Sequence, residues 1–154
     1  MIKLVISIVI CQCAGAIGAL FTRRSIPGWY QNIKKPFFNP PDWIFAPVWT
    51  TLFALMGIAA YLIWRKGLHT SGVKNAMAIF LLQLLLNILW SALFFGCRSI
   101  GGALVVIVLL WLAILWTMVT FFSLSMAAFL LIGPYIIWVS FAVILNIALL
   151  VLNK

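Results

Sequence analysis

The sequence predicts an all-α integral membrane protein: a bundle of five transmembrane helices with a long ordered loop between helices 1 and 2. Two observations carry that prediction. The 154 residues are 67% hydrophobic and only 7% charged, with a mean hydropathy of +1.27. An ordinary soluble domain is about half apolar and about a quarter charged, and no soluble core of this size hides so much apolar surface. Five apolar runs also reach the roughly 17–25 residues that a helix needs to cross a bilayer. They cover residues 4–22, 43–64, 75–95, 103–122 and 126–152, and the whole chain, 1–154, reads as a single domain.

Residues 4–22 end at Arg23-Arg24, which resembles a stop-transfer end. The run is also long for the apolar region of a signal peptide, so it reads as a retained span. Ala14-Gly15-Ala16 and Gly18-Ala19 allow close helix packing here and hint at where partners meet. Residues 43–64 follow Pro41 and Asp42, a fitting helix start because Asp is a good cap at the positive end of the helix dipole. Residues 75–95 lead into a tight turn with Gly96, Arg98 and Gly101-Gly102. Only residues 123–125 separate the fourth and fifth spans, which makes them antiparallel neighbours. Gly133-Pro134 interrupts the fifth.

The segment from Trp29 to Trp43 is different. It holds Asp42, the only acidic residue, and four of the six prolines lie between Pro27 and Pro41. It therefore cannot be a regular helix. Its aromatics argue against a floppy linker, and an ordered loop packed over the end of the bundle is expected.

Ten bases face one acid. In a soluble chain that excess would point to nucleic acid. Here the bases sit in the short polar segments between spans, where topology accounts for them, and no nucleic-acid partner is expected. Lys3, Arg65, Lys66 and Lys74 lie on one side. Arg23, Arg24, Lys34, Lys35, Arg98 and Lys154 lie on the other, which places the first loop and the C-terminus in the cytoplasm. Cys11 and Cys13 lie about 200° apart around a helix, unsuited to a disulfide or a shared metal.

Several function classes are excluded by what is missing. No carboxylate or histidine lies inside a span, which disfavours a proton-driven pump. There is no Ser-His-Asp arrangement, metal-ligand cluster or phosphate loop. Catalytic residues and metal ligands are both expected to be none, and conventional enzyme chemistry has little to work with.

What remains is aromatic and amide. Gln83, Asn87, Trp90, Ser91 and Phe94 follow i, i+4, i+7, i+8 and i+11, one helical face. Polar groups on such a face turn inward, because hydrocarbon cannot satisfy them. They either glue helices together or line a cavity. Trp49, Phe53, Met56 and Ala60 make a second stripe, and Tyr135, Trp138, Ala142 and Asn146 a third. Trp29, Trp43 and Trp64 fit an interfacial belt. Trp111 and Trp116 point in different directions, with at least one toward lipid. The stripes can enclose a flat-walled apolar pocket for a large planar ligand with polar edges. Lys34, Lys35 and Arg23-Arg24 at its mouth would attract ligand carboxylates, although topology and lipid phosphate account for them as well.

These residues also form a pattern. Trp29-Tyr30, Lys35-Pro36, Pro40-Pro41-Asp42-Trp43, Pro47-Val48-Trp49 and Met56-Gly57 resemble the tryptophan-rich sensory protein/translocator protein (TspO/MBR, peripheral-type benzodiazepine receptor) family. So do Gln83 to Trp90, Phe94-Phe95-Gly96, Pro134 to Trp138, Phe141-Ala142 and Leu145-Asn146, in order along essentially the whole chain. The resemblance implies a five-helix bundle, usually a homodimer, with the first loop as a lid tied down by Trp29, Tyr30 and Pro40-Pro41. It implies binding of tetrapyrroles such as protoporphyrin IX and of isoquinoline and benzodiazepine ligands, with no cofactor required. Trp49 and Trp138 resemble the family's two pocket tryptophans, tied to porphyrin binding and light-dependent porphyrin breakdown. Asn87, Tyr30 and Ala142 resemble further pocket residues.

Two departures stand out. Phe53 replaces a frequent Tyr. No Lys or Arg follows Tyr135 until Lys154, so the proposed cholesterol motif is missing and cholesterol binding is in doubt. The short tails fit a bacterial cell-membrane member. The resulting expectation is a tetrapyrrole-binding sensor or regulator that limits photo-oxidative stress. Light- and oxygen-dependent porphyrin degradation and passive transport are the alternatives.

Overall fold

The computed structural model describes every residue, Met1–Lys154. Five long helices make up the fold: α1 (Ile2–Ser25), α2 (Asp42–Trp64), α3 (Val73–Ser91), α4 (Ile100–Leu124) and α5 (Met126–Leu152). All five are long and apolar enough to cross a membrane. The neighbour pattern closes into a ring in the order α1, α2, α5, α4, α3.

Several boundaries differ from the sequence expectation. Gly101-Gly102 belong to the first turn of α4, not to the turn before it, and α5 runs unbroken through Gly133-Pro134. The first helix does not stop before the proline-rich segment. It continues through a π-helical turn, Ile26–Tyr30, and on to Asn32. Proline lacks the N–H that an α-helix needs and crowds the preceding turn. The wider π turn takes up Pro27 without ending the helix, and the irregular loop is confined to residues 33–41. At the start of α2, Pro41 occupies the cap position and Asp42 is the first helical residue, with no side-chain cap bond. Asp42 acts there as a first-turn charge. Between α4 and α5 only Ser125 leaves the helix. Its side chain accepts from the Ala128 N–H at 3.3 Å, a one-residue break made possible by the N-cap.

The α3 helix is also prolonged by a π turn, Ala92–Gly96. The Ser25 hydroxyl donates to the Phe95 carbonyl and ties the end of α1 to this turn. The half of the bundle far from the 33–41 loop is solid, filled by Phe80, Phe121, Ile63, Val73 and Ala128, all at most 2% exposed. Small residues on α1 pack within the chain. A Cβ on Gly57 would lie 2.6 Å from the Ile8 Cα, and one on Gly15 would lie 2.6 Å from the Phe53 ring. Ala14 and Gly18 are buried too. This part of the α1 stripe brings α2 and α3 close, and is not left for a partner.

The loop is pinned to the far end of the chain. The Lys34 N–H donates to Asn153 Oδ1 at 2.9 Å, and Asn153 Nδ2 donates back to the Lys34 carbonyl at 2.8 Å. The Tyr30 hydroxyl donates to Asn39 Oδ1 at 3.0 Å, and Tyr30 itself is buried. Phe37 and Trp43 stand out from the surface, as interfacial aromatics do. Trp116 is exposed, whereas Trp111 turns to α5 and donates to the Ser140 hydroxyl at 2.8 Å.

Candidate ligand-binding site

The loop-side half of the bundle is hollow because its walls combine glycines with rigid rings that cannot collapse into one another. Two chambers lie there. The larger holds about 290 Å³ between α1, α2 and α3. The smaller, about 30 Å³, lies against α5 beneath Tyr30. Phe45, Trp49, Trp90 and Phe95 line both and form the partition between them.

The partition is built from helical periodicity. Phe45, Trp49 and Phe53 recur every four residues on α2, and Trp90 and Phe94 do so on α3, so each set stacks along one face. Trp49 stacks on Phe53 with centroids 5.7 Å apart and meets Trp90 at 6.4 Å. Trp90 stacks on Phe94 at 5.4 Å, and Trp29 closes edge-on over Phe94 at 5.6 Å. Such offset and edge contacts each add about 0.5–1.5 kcal/mol beyond burial. A second aromatic row, Phe45, Trp138, Phe141 and Phe38, runs from α2 across α5 to the loop.

The inward face predicted on α3 is inward throughout: Gln83, Asn87, Trp90, Ser91 and Phe94 are all buried. Two of its polar groups are tied to α5. Asn87 Nδ2 donates to the Tyr135 hydroxyl at 2.9 Å, and the Trp90 indole donates to Asn146 Oδ1 at 3.2 Å. Asn146 then donates from Nδ2 to the Ile100 carbonyl at 3.0 Å. Helix gluing and cavity lining, the two readings left open by the sequence, therefore apply to the same residues.

Trp49, Phe53, Asn87, Trp90 and Ser91 line the larger chamber. Tyr30, Trp49, Trp90, Phe94, Trp138 and Ala142 line the smaller. Gln83, Pro41, Lys34 and Lys35 line neither. Gln83 is buried one turn from Asn87, and neither its Oε1 nor its Nε2 has a partner. The Lys35 ammonium sits 4.7 Å from the Tyr30 ring centroid and donates to the Gln31 carbonyl at 3.3 Å. Of the bases expected at the mouth, Arg23 is the one that lines a chamber; Asp42 lines the same chamber from α2.

Phe45, Phe95 and Phe141 belong to the walls but were missed by the sequence reading. The signal for Phe45 was present, four residues before Trp49, as it was for Phe141, three residues after Trp138. Gly15, Gly18 and Thr22 were also missed as lining. They share one face of α1 at i, i+3 and i+7, hidden in a run whose small residues read as a packing stripe.

The chambers join flat apolar walls to a few polar groups at their edges, which suits a planar aromatic ligand. The model of the TspO/MBR family matches residues 7–152. The chain is 43% identical over 152 residues to the tryptophan-rich protein TspO of Chlorobaculum tepidum, covering 99% of this chain and 96% of that protein. It is 44% identical over 153 residues to the tryptophan-rich protein TspO of Archaeoglobus fulgidus, covering 99% and 97%. The translocator protein of Bos taurus is 38% identical over 133 residues, covering 86% and 79%. With that extent of match, five spanning helices and the aromatic stripes in the expected order, the chain belongs to the TspO/MBR family.

Proposed function

We propose that this chain binds tetrapyrroles such as protoporphyrin IX within the bundle, beneath the 33–41 loop, as a membrane sensor or regulator that limits porphyrin photo-oxidative damage. The observation that carries the reading is the aromatic partition. Trp49 and Trp90 stand between two chambers, the smaller almost wholly apolar and the larger mainly apolar with a few polar groups. The larger chamber alone reaches only the lower end of the roughly 300–1,000 Å³ typical of ligand pockets. A tetrapyrrole therefore requires the partition to part, and the indoles then lie against the ligand faces. Isoquinoline and benzodiazepine ligands, being smaller, need less of that movement. We place the protein as a homodimer in a bacterial cell membrane, with loop 33–41 and the C-terminus cytoplasmic. The side with six of the ten bases carries both, in line with the positive-inside tendency.

Tryptophan-fluorescence quenching by protoporphyrin IX tests this directly. Trp49→Phe and Trp138→Phe each remove one of eight tryptophans and should weaken binding as well as reduce the signal. Quenching that saturates at the same porphyrin concentration in wild type and both variants would remove these residues from the site.

A photochemical reading is favoured by one feature: Trp49 and Trp138 both line the smaller chamber. A porphyrin spanning the parted partition would lie beside both indoles. On illumination the ring is the net electron donor and oxygen the acceptor, with the indoles as transient radical relays that the ring re-reduces, so the chemistry would be the ligand's own. Illumination of the complex with and without oxygen decides it. Porphyrin loss no faster than in empty micelles discards this reading.

A further inference from the structure

Of ten Lys and Arg side chains, Arg23 alone lines either chamber, and the chain's one carboxylate, Asp42, lines the same chamber. Both belong to its outer end. Arg23 is on the last turns of α1 and exposed, and Asp42 is in the first turn of α2 and half-buried. Deeper polar capacity is small. The Thr22 hydroxyl is used on the Gly18 carbonyl at 3.1 Å, and the Asn87 Nδ2 on Tyr135. Ser91 Oγ, close to Gly18, is the one hydroxyl left available there. The interior therefore discriminates by shape, and charge discrimination is confined to the mouth.

We propose that Arg23 is the specificity-determining residue for an acidic ligand: its guanidinium pairs with a carboxylate on the edge of a planar molecule in the larger chamber, and Asp42 across the mouth keeps that carboxylate on the α1 side. The proposal rests on the tetrapyrrole reading and narrows it to the free acid. The planar guanidinium fork matches a carboxylate in two-point geometry, and such charge-assisted bonds are about twice as strong as neutral ones. Arg23 is also held before the π turn, inside continuous helix, so its position does not depend on the loop. Lys34 and Lys35, by contrast, sit on or beside the loop and line neither chamber; the Lys35 ammonium lies over the Tyr30 ring, and Lys34 is bonded to Asn153 through its backbone.

The test compares protoporphyrin IX with its dimethyl ester, which keeps the ring and removes both charges. Binding is followed by tryptophan quenching in a neutral, phosphate-free detergent. Wild type should bind the acid about tenfold more tightly than the ester. Arg23→Gln should abolish the preference by weakening the acid alone, so unchanged ester affinity shows that the variant is folded. Arg23→Lys should keep part of it. Asp42→Asn removes a like charge and should widen the preference. Arg24→Gln, outside the chambers, should leave it unaltered. An acid-to-ester ratio in Arg23→Gln equal to that of wild type overturns the assignment. So does a loss in Arg24→Gln as large as in Arg23→Gln, or equal binding of acid and ester by wild type. If wild type binds neither compound, the tetrapyrrole reading itself fails, and this proposal with it.

Discussion

The packing of Gly57 on α2 against Ile8 on α1 offers a perturbation whose size can be worked from coordinates. In Gly57→Ala the new Cβ would meet Ile8 Cα at 2.6 Å and Ile8 N at 3.0 Å, where ordinary contacts lie at 3.4–4 Å. Both atoms are backbone, so no rotamer change relieves the clash, and α1 must move as a body. Overpacking of this kind costs typically 1–3 kcal/mol, and a backbone clash belongs at the upper end. Alanine returns about 1 kcal/mol through its better helix propensity. The expected net loss is about 2 kcal/mol, or about 4–8 °C in the unfolding midpoint for a chain of this size. Gly101→Ala is the matched control. Its Cβ would find only Leu150 Cδ1, at 3.9 Å, so the propensity gain is unopposed and its stability should equal that of wild type or exceed it by up to about 1 kcal/mol.

The assay is thermal unfolding of both variants in the same detergent, followed by porphyrin titration at low temperature. Because α1 carries Gly15 and Gly18 against Phe53 and Ser91, the shift should also alter the larger chamber and weaken binding in Gly57→Ala. A Gly57→Ala midpoint equal to or above that of Gly101→Ala would refute the close approach of α1 and α2 as the determinant.

Asn146→Ala removes the acceptor of the Trp90 indole and the donor to the Ile100 carbonyl. Stability should fall by about 1–2 kcal/mol, and a cycle with Trp90→Phe should be non-additive; full additivity would show that the two do not act as a pair. Asn153→Ala should leave the unfolding midpoint almost unchanged, because both bonds to Lys34 are exposed. It should speed hydrogen exchange at the Lys34 amide, and unaltered exchange there would remove Asn153 as the clamp of the loop. Gln83→Leu should raise stability by about 1 kcal/mol or more, since it replaces two buried, unpartnered polar atoms with apolar surface. A fall in the midpoint would mean that the amide has a partner.

How far the sequence carried depended on periodicity. Gln83 to Phe94 repeat at helical spacing, and the whole set is inward; Trp49 and Phe53 likewise share a wall. Periodicity names a face but not the helix it meets. Nothing along the chain said that Trp49 and Trp90 would meet and divide the space in two. The Lys34–Asn153 clamp joins positions 119 apart, a pairing with no local signature. Pro27 misled for a physical reason. The rule that proline ends a helix assumes α geometry, and a π turn evades it by changing the hydrogen-bond register. The lysines of the loop differ from each other: Lys35 holds its ammonium over the Tyr30 ring, Lys34 is pinned only through its backbone, and neither lines a chamber.

The polar inventory then constrains how such a site discriminates. A buried amide is costly unless bonded, and the bundle bonds Asn87 and Asn146 to other helices. Each bond that stabilises the bundle removes a group from ligand recognition. What the larger chamber keeps for a ligand is the Ser91 hydroxyl, the unused lone pairs of Asn87, and the charges of Arg23 and Asp42. Aromatic walls accept many flat molecules with similar affinity, because stacking is tolerant of ring identity. A receptor made this way tolerates variation in the ring and discriminates at the edge. For this chain, ligands that differ only in edge charge should be separated more sharply than ligands that differ in the aromatic body.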